Sequence, residues 1–160
     1  MNKLQHDDEG NFFTTEQMLE GTTPINTPKH NFRDIKEANV WAKKNIVGTY
    51  KNIHTDENIN VSGKAIDKYL SASAVFKSVS MDIHLSALKL LPELIKTSIL
   101  KQTHLDKKNS RHVREIQRFY GAVSYEENVY PVKITVKVYH SQDSKAYSYE
   151  VMKIESPIVD

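Results

Sequence analysis

At 160 residues with 39% hydrophobic side chains, the chain suits one compact domain with a tail, and a core of this size argues against disorder throughout. It contains no cysteine, which excludes a disulfide framework, a thiolate zinc site and a cysteine nucleophile, and leaves any chemistry to His, Lys, Arg, Tyr, Ser and carboxylates. The net charge of +2 is unevenly spread: residues 1–28 set Lys3 against Asp7, Asp8, Glu9, Glu16 and Glu20 for a balance of −4, so the rest of the chain carries +6.

No apolar stretch approaches the ~20 residues that cross a bilayer, and the first residues lack an apolar leader, so a cytoplasmic protein without membrane contact is expected. Residues 1–30, rich in Gly, Pro, Thr, Asn and acidic residues, are expected to be a flexible tail, with Phe12-Phe13 and Met18-Leu19 as short apolar anchors for a possible protein partner. A helix is predicted over 32–45, where Ile35, Ala38, Trp41 and Ala42 recur at helical spacing and Lys43-Lys44 suit its C-terminal end. Short strands follow at 46–50 and 58–62, then a short helix opening at Ser62 or Gly63. The clearest helix starts at Ser80, a good N-cap, and buries Ile83, Ala87, Leu90, Leu91, Leu94 and Ile95. Pro92 predicts a kink or two abutting helices, because an interior proline costs ~3 kcal/mol whereas a first-turn proline costs little.

Residues 101–112 show no amphipathic period and are expected to be an exposed basic loop. Strands are predicted at 115–125, 129–140 and 145–155, joined by polar turns. Helices first and an antiparallel meander last argue for an α+β domain, residues 31–160, with helices on one face of the sheet and the other face left for solvent or substrate. In the run 130–139, Val132, Ile134, Val136 and Val138 alternate with Lys133, Thr135, Lys137 and Tyr139, so the second face should be cationic and hydroxyl-rich.

A basic surface of this kind suits phosphate. Lys101, Lys107, Lys108, Arg111, Arg114 and Arg118 outnumber Asp106 and Glu115 over 101–118, although a solvated loop accounts for the same charges. Lys107, Lys108, Arg111, Arg114, Lys133 and Tyr139 are the candidates for nucleic-acid contact, with tyrosines able to stack on unpaired bases. The histidines form no metal-ligand spacing, so neither metal nor other cofactor is expected. Cleavage of RNA without metal needs a base for the 2′-hydroxyl, an acid for the leaving oxygen and cations for the phosphorane charge. His84, in the first turn of the best helix, is the candidate base, with Lys64, Lys137 or Arg118 stabilising charge; a helix-start histidine hydrogen-bonded to nearby backbone is the other possibility.

Ser62-Gly-Lys-Ala-Ile-Asp-Lys68, His84-Leu-Ser-Ala-Leu88, Leu91-Pro-Glu-Leu-Ile95, Tyr130-Pro-Val-Lys-Ile-Thr-Val-Lys137 and Tyr147-Ser-Tyr-Glu-Val-Met-Lys-Ile-Glu155 together resemble the large polyvalent-protein-associated domains of phages and mobile elements, over about residues 32–156. That group is placed with the barnase, EndoU, colicin and RelE-like ribonucleases. The resemblance implies a curved antiparallel sheet whose open face is an RNA site, and a toxin or effector acting on host RNA, single-stranded or structured. It carries His84, Lys64, Lys137 and Ser148 over as site residues, while Arg118 rests on its charge and strand position alone. The paired histidines of the EndoU pattern have no counterpart at matching positions. The competing expectation is a non-catalytic nucleic-acid- or protein-binding module on the same sheet.

Overall fold

The protein is described by a computed structural model over residues 5–6, 12–105 and 112–154. Strands β1 (Gln5–His6) and β2 (Phe12–Phe13) pair antiparallel as a small ladder of their own. Helix α1 (Thr15–Leu19) is nucleated by a reciprocal cap: the Gln17 N–H donates to Thr14 Oγ1 at 3.0 Å and the Thr14 N–H to Gln17 Oε1 at 2.8 Å. Strand β3 (Ile25–Asn26) follows, then α2 (Ile35–Asn45), capped by Asp34 and ending on Lys43 and Lys44. Strands β4 (Gly48–Lys51) and β5 (Asn58–Val61) form a hairpin. Three short helices are each started by a serine whose hydroxyl accepts an otherwise orphaned N–H: α3 (Gly63–Tyr69) by Ser62, α4 (Ala72–Lys77) by Ser71 and α5 (Met81–Leu88) by Ser80. Pro92 falls in the first turn of α6 (Leu91–Thr97), where no intrahelical N–H is needed, so the expected kink is a junction between two helices. Strands β6 (Ile99–His104), β7 (Val113–Tyr125), β8 (Asn128–Tyr139) and β9 (Ser144–Val151) complete the chain.

The fold is α+β. Its seven-stranded, strongly curled sheet has the order β3-β7-β8-β9-β5-β4, with β6 beside the first half of β7. The β6–β7–β8–β9 ladders are antiparallel, as expected, while the β3–β7 and β5–β9 pairings are parallel and make the sheet mixed. One face carries the core: Phe119, Val123, Val132, Ile134, Val136, Val138 and Tyr149 pack against Ala38, Ile66, Leu85, Leu88 and Leu94 of the helices. Gly121 lies on this face where α6 ends, and a Cβ there would stand 2.5 Å from Ser98 Oγ and 3.1 Å from Leu94 Cδ2, so only glycine admits this close approach.

Buried Asn52 ties the β4–β5 hairpin to that same corner. Its amide donates to the Ile95 and Ser98 carbonyls at 2.8 and 2.7 Å, and its oxygen accepts from the His54 and Thr55 N–H groups at 3.0 Å. The hairpin is thereby fixed in place although it meets β9 at a single register pair, Asn60 opposite Lys145.

Two expectations are corrected here. Residues 101–104, expected in a loop, belong to β6: the ladder with β7 satisfies their backbone, which amphipathic periodicity cannot register. The expected tail is, over its described part from residue 13, docked on the body. Met18 is buried against Tyr120 and Met152, Phe13 meets the Tyr120 ring edge-on at 5.5 Å, and Ile25 and Asn26 extend the sheet. The apolar anchors Phe13 and Met18 are thus used within the chain.

Candidate nucleic-acid interface

His84, expected as a general base, lies in the core at 0% exposure. Its Nε2 faces the Tyr69 carbonyl at 2.8 Å, and since a carbonyl only accepts, Nε2 carries the proton and donates. Its Nδ1 then accepts from the Ser78 hydroxyl at 2.6 Å, whose oxygen accepts in turn from the Val151 N–H at 2.9 Å. The imidazole stacks on Tyr149 with ring centres 4.3 Å apart, and the Tyr149 hydroxyl donates to the His84 carbonyl at 2.7 Å. Burial pushes the His84 pKa down to about 4, with the Tyr69 carbonyl opposing the fall. Both ring nitrogens are engaged and no solvent reaches them, so His84 fastens α5 and α3 to β9 and has no route to a phosphate.

The second face of the sheet divides in two. Towards the middle of β7 and β8, Arg118, Lys133 and Thr135 share that face but are covered, with Arg118 and Lys133 only 3% and 4% exposed. Arg118 Nη1 donates to Thr135 Oγ1, and Lys133 Nζ stands 3.9 Å from Glu150 Oε1. Helix α1 lies over β7 and β8, and Lys101 Nζ holds its C-terminal end by donating to the Gln17 and Glu20 carbonyls at 2.5 and 2.8 Å. The expectation of a face left open fails in this half, because the N-terminal segment covers it. Arg118 and Lys133 are therefore withdrawn from solvent.

At the β8–β9 end the same face is accessible. Lys137 and Lys145 are direct cross-strand partners, so two like charges face each other across one rung of the ladder. Just before them the register slips: Ser148 pairs with Thr135 and Ala146 with Val136, which leaves Tyr147 as the extra residue of a bulge. Tyr147 is 36% exposed, and the Lys137 and Lys68 ammonium groups stand 3.7 and 4.6 Å from its ring centre. Lys145 stands 5.0 Å from the ring centre of Tyr139, whose phenol is pushed above its usual pKa by burial and then by the nearby Tyr147. Lys64 is exposed one helical turn before Lys68 on α3. None of Lys64, Lys68, Lys137 and Lys145 forms an ion pair with a described residue. Of the expected site residues, the structure therefore places Lys137 and Tyr139 at one end, with Lys64 exposed on α3 a helical turn from Lys68. Ser148 sits half-buried beside Thr135, at the edge of the covered half.

Beside this patch, where the β4–β5 hairpin parts from β9, a cleft of about 540 Å³ opens, lined among others by Arg114, Lys145, Asn58 and Asn60. Residues 30–147 match the family model described as large polyvalent protein-associated domain 3. The chain belongs to that family. No curated protein and no solved structure matches it. In this member of the large polyvalent protein-associated domain 3 family, the matched residues run from before α2 to Tyr147 and so include the lysine–tyrosine patch, while α1, β3 and Ser148 lie outside.

Five residues of the interface carried no earlier weight. Lys68 was visible as the helical neighbour of Lys64, and Tyr147 and Lys145 lay in the closing strand, but their proximity depends on the bulge. His112 and His140 are brought together by the ladder, the His140 N–H donating to the His112 carbonyl at 2.9 Å, with both residues exposed beside Arg114. Their separation by 27 intervening positions hides this from spacing rules. The expected contacts Lys107, Lys108 and Arg111 lie outside the described residues. Among the described residues no group of three His or acidic side chains could hold a metal ion, and no helix is long and apolar enough to cross a membrane.

Proposed function

We propose that this domain binds single-stranded RNA along the β8–β9 end of its sheet, as the RNA-directed module of a phage or mobile-element effector. The observation that carries this reading is the rung Lys137–Lys145, where like charges directly opposite each other disfavour the strand pairing and neither ammonium forms an ion pair with a described residue. Such a local conflict is expected where an anion completes the arrangement. Tyr139 and Tyr147 beside these ammonium groups offer rings on which unpaired bases stack, at ~1–3 kcal/mol each, while Lys64 and Lys68 extend the charge for the backbone.

The test is fluorescence anisotropy with a 12-nucleotide RNA in chelator across a salt series. Four phosphate contacts give a slope of log K against log salt of about −3 for a single strand. Tyr147→Ala should weaken binding roughly fivefold or more. Binding that ignores salt, or no binding at low salt, overturns the reading.

Metal-independent cleavage of the same RNA is a second reading, and the adjacency of His112 and His140 favours it. One imidazole would take the 2′-hydroxyl proton as that oxygen attacks phosphorus, and the other would give a proton to the departing 5′-oxygen, leaving a 2′,3′-cyclic phosphate. Total RNA incubated in chelator should then be cut by the wild type and by His84→Gln, and spared by the His112→Ala/His140→Ala double variant. Cleavage by the double variant, or none by the wild type, removes this second reading and leaves binding untouched.

A further inference from the structure

We infer that the cleft between the β4–β5 hairpin and the β8–β9 turn is a subsite for one flipped-out nucleobase, selecting bases that carry an exocyclic amino group opposite a ring acceptor, adenine and cytosine, over uracil. This rests on the RNA-binding reading, since Lys145 belongs to both the cleft and the lysine–tyrosine patch. The volume of about 540 Å³ lies within the ~300–1,000 Å³ of sites that enclose small ligands. The opening exists because β5 meets β9 only at Asn60 and Lys145, beyond which the strands part, and because Asn52 holds the hairpin rigidly against α6.

The lining has the chemistry of a base edge reader. Glu57 and Asp143 supply carboxylate acceptors, and Glu57 has no ion pair with a described residue. Asn60 Oδ1 accepts from the Thr49 hydroxyl at 3.2 Å, which leaves its NH₂ group to donate, and the Asn58 amide stands at the same wall. An amine donor beside a ring-nitrogen acceptor matches a carboxylate beside an amide NH₂, as asparagine pairs with adenine and carboxylates with the cytosine amine. Uracil sets its O4 acceptor against the carboxylate and its N3–H donor against the amide NH₂, so both contacts are mismatched. Arg114 and Lys145 at the cleft supply cations for the phosphates on either side of the base.

Anisotropy with oligo-A, oligo-C and oligo-U of equal length in chelator tests the inference on the full chain. Oligo-A and oligo-C should bind about tenfold tighter than oligo-U, and the Glu57→Gln/Asn58→Ala double variant, at exposed positions and checked for unchanged circular dichroism, should bring all three to the oligo-U affinity. Equal binding of the three by the wild type, or a preference that persists in the double variant, overturns the subsite and leaves the lysine–tyrosine patch standing. If none of the three binds, the subsite falls together with the RNA-binding reading.

Discussion

Lys133 and Lys137 sit four residues apart on β8, on one face of one sheet, yet one is buried beside Glu150 and the other stands over an accessible tyrosine ring. Arg118 with Thr135 and Lys145 with Tyr139 repeat the contrast on the neighbouring strands. Strand alternation assigns both halves to the same face, and what separates them is a second layer that alternation does not encode. Helix α1 covers one half and leaves the other to solvent. Cationic side chains on this face therefore serve two purposes: inside the cover they are held by hydroxyls and a carboxylate, and outside it Lys137 and Lys145 form no ion pair with a described residue.

Removing the cover should give the largest effect. Met18 is 1% exposed and fills the space between α1, Tyr120 and Met152. Met18→Ala is expected to destabilise the fold by about 2–5 kcal/mol, measured by urea denaturation. It should also raise the protection-loss rate of β7 and β8 amides in hydrogen exchange. A loss below 0.5 kcal/mol with unchanged exchange would mean that α1 merely rests on the sheet and that the two halves differ for another reason.

Much of the fold was legible because its determinants are local. Ser62 and Ser80 cap the helices they were expected to start, Pro92 marks a helix junction, and Val132, Ile134, Val136 and Val138 line the core. The failures share one cause, which is dependence on distant partners. Residues 101–104 are a strand only because β7 lies beside them. The N-terminal residues had the composition of a tail, but Tyr120 and Met152 give Met18 a place to bury. His84 had the chemistry of a base, but 65 positions later Tyr149 closes over it. At the interface, Lys64, Lys137 and Tyr139 were identifiable from residue type, whereas the Tyr147 bulge and the His112–His140 neighbours follow from register, which a single chain does not reveal.

The core side of the sheet can be separated from the solvent side by pH. The folded pKa of His84 is about 4 against an ordinary 6.5, so on acidification the unfolded chain takes up the proton first. Its contribution is complete above about pH 6.5 and is lost as pH falls towards 4, amounting to about 3 kcal/mol. Urea midpoints at pH 7.5, 6, 5 and 4.5 should fall over this window in the wild type and fall less in His84→Gln. Equal slopes in the two proteins would show that His84 is reached by protons in the folded state, contrary to its enclosure by Ser78, Tyr69 and Tyr149.

The smallest stability change is the most discriminating, because its sign separates structure from function. Lys145 faces Lys137 directly, and reversing one charge converts a repulsive rung into an attractive pair. Lys145→Glu should therefore stabilise the fold by about 0.2–1 kcal/mol while weakening RNA binding at least tenfold. Lys133→Met, made in the covered half of the same face, should leave RNA affinity within twofold, since that ammonium reaches no ligand. A rung retained only for folding would lose stability on charge reversal, and a face that bound RNA along its whole length would respond to both substitutions. A gain in stability with a loss of affinity at Lys145, and neither loss nor gain of affinity at Lys133, places the boundary of the interface at the Thr135–Val136 bulge, where Tyr147 leaves the regular ladder.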